Sequence, residues 1–373
     1  MKKLSLAATG LVLGASAATA GGLDRSYTPV DLIFEKGSYA ELSYGFTMPD
    51  LTGSDFLGNA IGNVGSDYGI WGAGLKLQFN EQWSFSLIFD QPYGADTSYA
   101  GNPATSLLAG TGATADSNAL TAILKYQATD RFSVYGGPRV VRADGTISLS
   151  GLAYGPLSGY QVNFNSNDGL GYVLGAAYER PELGMRISAT YHSAVDLDFQ
   201  TAENIPTTAG GLGFYVPTGI TATQTPQSFE LAAQTGLNPR TLLFGSVRWS
   251  EWSAFSLNPP SPVPNLAELD DTWTYEIGVG RRFTDKFSGS VAFSYEPGGS
   301  DSLVSPLAPT NGQTAVTVGG KYQVTDRISF SGGLRYTMLG NALPETGTPD
   351  TPRGSFRNND ALSVGFKIGI ALN

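Results

Sequence analysis

The chain has one histidine, His192, and no cysteine. Thiolate nucleophiles, cysteine metal sites and disulfides are therefore all excluded. A serine–histidine pair is the remaining route to hydrolysis, and Ser188 and Ser193 are the serines nearest His192 in sequence. Ser188 shares its parity on an extended chain, yet four strand residues at ~3.3 Å each separate the two by roughly 13 Å. That is beyond the hydrogen-bond reach a nucleophile and its base require, so a hydrolase would need a serine from another segment. Asp67, Asp116, Asp168 and Asp360 stand at the starts of strand-like runs, where turn chemistry explains them better than calcium does. The glycine-rich stretch from Gly69 to Gly74 lies within such a run and has no helix after it, so it is not a phosphate loop. The expectation is a chain that is not an enzyme, with no catalytic residues, no metal and no cofactor.

Charge placed with period two is the chemistry that remains. Glu41, Lys76, Asp90, Lys125, Arg139, Arg186, His192, Glu230, Arg248, Glu276, Lys321, Arg335 and Lys367 all fall on the polar parity of alternating segments. Residues i and i+2 share a face of a strand, and a cation facing lipid at the bilayer midplane would cost about 2–4 kcal/mol. This set therefore faces inward. Lys76, Lys125, Arg139, Arg186, Arg248, Lys321 and Arg335 are the candidate lumen charges facing a ligand, in a lumen more positive than the protein around it. The alternative is that they pair across the lumen and stiffen the wall.

Such a face needs strands that close on themselves. Fourteen segments with period two run from Ser38–Met48 to Asp360–Leu372, joined alternately by short links such as Asn80-Glu81 and by long links rich in Gly, Pro, Ser, Thr and Asn. Six short and seven long links fit a fourteen-stranded antiparallel transmembrane barrel with tight periplasmic turns and long outer loops. Three of the turns share a pattern: Ala-Thr-Asp-Arg-Phe-Ser at 128–133, Phe-Thr-Asp-Lys-Phe-Ser at 283–288 and Val-Thr-Asp-Arg-Ile-Ser at 324–329. Composition agrees, with 48 Gly, 18 Tyr and 19 Phe against 14% charged residues, where globular chains carry about 25%. After Gly21 no apolar run reaches the ~18 residues of a spanning helix. The fold class expected is all-β, a single membrane barrel with a short N-terminal segment inside or beneath it.

The first residues divide the chain further. Met1-Lys2-Lys3, an apolar run and Ala18-Thr19-Ala20 have the layout of a signal peptide with an A-x-A cleavage site. The expected division is a signal peptide over 1–20, a short hatch-like segment over 21–37 and the barrel over 38–373. Cleavage would leave 20 basic against 32 acidic residues, which argues against a nucleic-acid partner. Membrane lipids and lipopolysaccharide are the expected surroundings. Tyr44, Trp71, Trp83, Tyr178, Tyr191, Trp249, Trp252, Trp273 and Tyr336 fall near strand ends or on the outer face, where aromatic girdles form.

Pro226-Gln227-Ser228-Phe229-Glu230-Leu231, Asn238-Pro239-Arg240-Thr241-Leu242-Leu243 and Val247-Arg248-Trp249-Ser250-Glu251-Trp252-Ser253-Ala254-Phe255 resemble the FadL family of outer-membrane long-chain fatty-acid transporters. So do Met185 to Phe199 and the strand pair from Thr272 to Tyr295. The resemblance covers most of the chain after about Tyr39 and is diffuse in the loops. It implies a plugged fourteen-stranded barrel, a long-chain fatty acid or other small hydrophobic ligand, and lateral exit through a kinked third strand. Here that strand ends in Asp90-Gln91-Pro92-Tyr93-Gly94, which makes Pro92, Tyr93 and Gly94 the candidate lateral opening, because Pro removes a ladder donor. Two departures stand out: beyond the expected signal peptide only about seventeen residues, Gly21 to Gly37, precede the first strand, and the family's Asn-Pro-Ala occurs only at Asn102 to Ala104, in an outer loop. A general diffusion porin with a water-filled pore is the competing function.

Overall fold

A computed structural model describes residues 23–26, 29–206, 214–215, 218–261, 263, 265–299 and 301–372. The expected signal peptide lies outside them.

Fourteen antiparallel strands close a barrel: β1 (Tyr39–Asp50), β2 (Tyr68–Gln78), β3 (Trp83–Asp90, resuming as Gly94–Ser98), β4 (Gly112–Gln127), β5 (Phe132–Leu149), β6 (Tyr160–Arg180) and β7 (Met185–His192, resuming as Asp196–Pro206). They continue as β8 (Thr218–Gln224 and Ser228–Asn238), β9 (Thr241–Ser250), β10 (Thr272–Arg282), β11 (Phe287–Glu296), β12 (Gln313–Gln323), β13 (Ile328–Leu339) and β14 (Asp360–Ala371). β14 pairs with β1 from Tyr39↔Ala371 to Asp50↔Asp360, so the sheet has no free edge there.

The recurrent turns owe their sequence to one side chain. The hydroxyls of Thr129, Thr284 and Thr325 accept the backbone N–H of Phe132 at 3.0 Å, Phe287 at 2.9 Å and Ile328 at 3.0 Å. Each threonine thereby fixes the tight reversal that sets the register of its hairpin.

Alternation assigns the faces. In β11, Val291, Phe293 and Tyr295 are exposed to the lipid side, while Ala292, Ser294 and Glu296 are buried. β5 keeps one parity throughout but changes chemistry along its length. Its outward residues pass from Phe132, Val134 and Val140 to Arg142, Asp144 and Thr146, as its inward ones pass from Ser133 and Arg139 to Ile147 and Leu149. The exposed ion pair Arg142–Asp168, at 2.6 Å, marks the level where the outer face leaves lipid for water. In β6 the same crossover is made by a bulge: the pairs Ala143↔Asn167 and Gly145↔Phe164 leave one extra residue in β6. Leu170, Tyr172 and Leu174 face out, whereas Tyr160, Val162 and Phe164, of the same parity, are buried. One inserted residue exchanges the faces.

β4 to β7 thus rise past the expected strand limits, and the link expected over Gln200 to Thr225 supplies paired strand, Asp196↔Gln224 to Ala202↔Thr218. The outer loops are knit by Asp55, whose carboxylate accepts the N–H of Leu57 at 3.0 Å, Asn59 at 2.8 Å and Leu107 at 3.1 Å, and the Ser106 hydroxyl at 3.0 Å. Burial by itself raises the Asp55 pKa, but the hydrogen bonds from Asn59, Leu107 and Ser106 outweigh it and hold the carboxyl below its ordinary value. Its contribution is therefore complete at neutral pH and is lost only as pH falls through that depressed value. Asp55→Ala strands several donors at about 1–3 kcal/mol for each left unsatisfied. Limited proteolysis at pH 7 should then cut the 99–111 loop in the variant and spare the parent.

Candidate functional site

The N-terminal segment runs inside the barrel. A short 3-10 helix over Val30–Phe34 buries Leu32 and Ile33 against Tyr39, Ile88, Ile123, Tyr135 and Val173, inward residues of β1 and β3 to β6. Lys125 and Arg186 stack their cations over the Phe34 ring at 4.5 and 4.1 Å, and Arg186 pairs with Asp31 at 2.7 Å. Lys76 donates to the backbone carbonyl of Glu35. Three of the expected lumen cations, Lys76, Lys125 and Arg186, thus hold this segment from the wall, and Lys125 also pairs with Glu179 at 3.4 Å.

The other cations sit inside as well. Arg139 approaches Asp90 at 4.0 Å and Arg248 approaches Glu230 at 3.9 Å; Arg335 is buried, and Lys321 lies in register with Ser331 and Lys367. His192 is buried between strands with neither ring nitrogen hydrogen-bonded among the described residues. Ser193 is engaged elsewhere, its hydroxyl accepting the Tyr172 N–H at 2.9 Å.

Pro92, Tyr93 and Gly94 lie at a break in β3, which resumes beyond it instead of passing into a loop as expected. Asp90 pairs with Ala119 and Gly94 with Asp116, so β3 spends three residues where β4 spends two. On the other side, β2 pairs with β3 only over Ala73–Gln78. Above Ala73 no ladder pair forms until Gly65↔Thr97, and this unpaired stretch, the window, is crossed by the Trp71 N–H bound to the Gln91 side chain at 2.7 Å. The strands meet again where Ser66 N donates to Asp96 O at 3.1 Å and Ser98 N to Val64 O at 2.8 Å. Trp71 is in register with Tyr44, and Tyr44 with the lipid-facing Phe366, so the window lies at the level of the apolar band.

The N-terminal residues cover this window from within. Arg25 N donates to Pro92 O at 2.7 Å and Gly94 N to Leu23 O at 2.9 Å. The Arg25 guanidinium lies over the Tyr68 ring at 4.4 Å, pairs with Asp116 at 3.2 Å, and rests where a Cβ on Gly94 would be. A glycine is required at 94 for that close approach. Asp24 is tied by the Trp252 indole N–H at 2.8 Å. Trp252 is therefore not a girdle residue: β9 stops at Ser250, a 3-10 turn over Trp252–Ala254 carries the chain inward, and the ring is 1% exposed. Tyr93 and Phe255 meet it edge-on at 5.4 and 5.8 Å.

A cavity whose empty space, open solvent included, is about 890 Å³ begins at Leu23, Tyr93 and Gly94. It continues between Ile147, Phe164, Leu197 and Phe199 on the upper strands and Phe255, Leu257, Leu266 and Leu307 from the loops. Its walls are almost wholly apolar, and none of the seven lumen cations is among its lining residues. A second, smaller cavity, also open to solvent, lies on the window side of Leu23 and Arg25, against Ser66, Tyr68 and Asp96. The signal that could have located the large cavity is the change of chemistry in β5, where apolar residues move to the inner face after Arg142.

Residues 47–348 match the outer membrane transport protein family described as OMPP1/FadL/TodX. The chain belongs to that family. OMPP1/FadL/TodX membership makes it a transport protein of the outer membrane and not an enzyme. Among solved relatives, a Pseudomonas aeruginosa FadL homologue superposes with a TM-score of 0.76 at 16% identity, covering 97% of this chain and 98% of the other. The P. putida toluene transporter TodX gives 0.69 at 16% identity, covering 97% and 99%, and the Ralstonia pickettii toluene transporter TbuX gives 0.64 at 15%, covering 97% and 100%. At these identities the likeness establishes the family's fold. A 47 kDa outer membrane protein of Pasteurella multocida is 24% identical over 220 residues, 54% of this chain, which spans about half the length of that relative.

Proposed function

We propose that the protein carries small hydrophobic molecules, long-chain fatty acids or similar ligands, through the outer membrane and releases them sideways into its lipid. One observation carries this reading: an apolar cavity ends at Tyr93 and Gly94, beside the stretch where β2 and β3 lack a ladder at the level of lipid-facing side chains. Apolar walls with few polar groups are typical of small-molecule sites. TodX and TbuX, described as toluene transporters, support a ligand of the same apolar class. Ligand enters from the lipopolysaccharide side between the loops, fills the cavity and leaves past Pro92, Tyr93 and Gly94 once Arg25 withdraws from the window. In this reading Lys76, Lys125 and Arg186 hold the N-terminal segment, and the ligand meets apolar walls.

That filled lumen also favours the transporter over a diffusion porin. Saturable binding of oleate or toluene by the purified protein, with little steady single-channel conductance in a planar bilayer, is the expected result. Large stable ion-conducting openings without binding of either probe would place the protein among the porins.

A further inference from the structure

The wall has a second irregularity, of the opposite sense to the window. β7 pairs with β6 over Met185–His192 and again from Thr201 to Asn204, and between them it steps into the lumen. Val195 is buried against Ala119 and Val141, inward residues of β4 and β5. Beneath it β6 carries Gly169 and Gly171. A Cβ on Gly171 would lie 2.7 Å from Val195 Cγ2, and one on Gly169 would collide with Val195 Cγ1 and the Asp196 carbonyl. The glycines leave the room in which β7 crosses the inner face of its neighbour.

The step is held at both ends. Ser193 N donates to Tyr172 O at 2.9 Å. Val195 and Thr225 are tied reciprocally, Val195 N to the Thr225 hydroxyl at 3.1 Å and Thr225 N to Val195 O at 2.9 Å, where β8 is interrupted before Pro226.

This layer also divides two chemistries. The inward positions next above it on β4, β5 and β7 are Ser117, Ala143 and Leu197, all lining the apolar cavity. Those next below are the buried Thr121, Arg139 and His192. Resting on the transport reading above, we infer that Val195 is the floor of the cavity and a determinant of specificity. It sets how long a ligand can be, and it bars the ligand from the charged lumen, so that the window is the way out.

Saturated fatty acids of increasing chain length, titrated against the full-length protein in amphipol, read the depth of the cavity. Each methylene that finds apolar wall adds about fourfold in affinity, the equivalent of ~0.8 kcal/mol, until the floor is met and affinity levels off. Val195→Gly should carry that plateau to longer chains and Val195→Phe should bring it to shorter ones, a pair of opposite shifts that loss of stability cannot produce. Single-channel conductance supplies a readout independent of ligand, with Val195→Gly expected to raise axial ion flow several-fold over the parent. A parent that binds no fatty acid would end the fatty-acid part of the transport reading, and conductance would still decide the floor. If the parent binds and neither variant moves the plateau, or if conductance is unchanged, the floor assignment is wrong.

Discussion

Deleting Pro92 is expected to cut the transfer of a fluorescent fatty acid from the protein into the surrounding bilayer at least tenfold, while ligand binding in the cavity changes by no more than about threefold. The reason is in the register. Asp90↔Ala119 and Gly94↔Asp116 leave Gln91, Pro92 and Tyr93 opposite Ser117 and Asn118, and removing one residue makes β3 and β4 equal there; across the window Ala73↔Phe89 and Gly65↔Thr97 already enclose seven residues on each strand, so the deletion acts by straightening β3 along β4. Each ladder hydrogen bond regained is worth about 1 kcal/mol net, and ~1.4 kcal/mol is a factor of ten. Two such bonds to β4 would therefore favour a straight β3 over the broken one by more than an order of magnitude, and a straight β3 no longer steps away at the window. Pro92→Ala keeps the extra residue and should have the smaller effect. Stopped-flow transfer into vesicles measures the rate, and an unchanged rate in the deletion variant would show that ligand leaves elsewhere.

Replacing Trp252 by Ala should release the N-terminal residues from the window. The ring is buried and meets Tyr93 and Phe255 edge-on, and losing an aromatic side chain of this kind costs about 3–5 kcal/mol. The Asp24 carboxylate also loses the indole N–H that reaches it at 2.8 Å. Hydrogen exchange at the Arg25 and Gly94 amides, which bind the Pro92 and Leu23 carbonyls, should accelerate by about 100-fold or more, since ~1.4 kcal/mol is one decade. Trp252→Phe keeps ring packing and loses the donor, about 1–3 kcal/mol, so its acceleration should be roughly tenfold. Exchange as slow as in the parent would mean that the segment is held by its other contacts alone.

The strand ends most visible in sequence were those in the membrane. Val291, Phe293 and Tyr295 against Ala292, Ser294 and Glu296 declare two solvents on two faces, and the structure places them so. Above the membrane the outer face meets water, the apolar residues turn inward, and β4 to β6 continue where the pattern no longer reads as barrel strand. Trp252 was not legible for a related reason. An aromatic residue two positions past a strand end has the same sequence signature whether the chain turns toward the interface or into the lumen.

Local alternation, turn threonines and the scarcity of charge were enough to determine an outer-membrane barrel, its strand number and the side each strand shows to lipid. These follow from the sequence alone because successive Cβ atoms point to opposite faces and the bilayer penalises polar groups residue by residue. What the barrel contains was decided by tertiary structure. Arg25 against Gly94, Asp24 bound by Trp252 at a separation of 228 residues and Val195 lying on Gly169 and Gly171 are contacts between distant segments, set by the path of the whole chain, and no local periodicity records them.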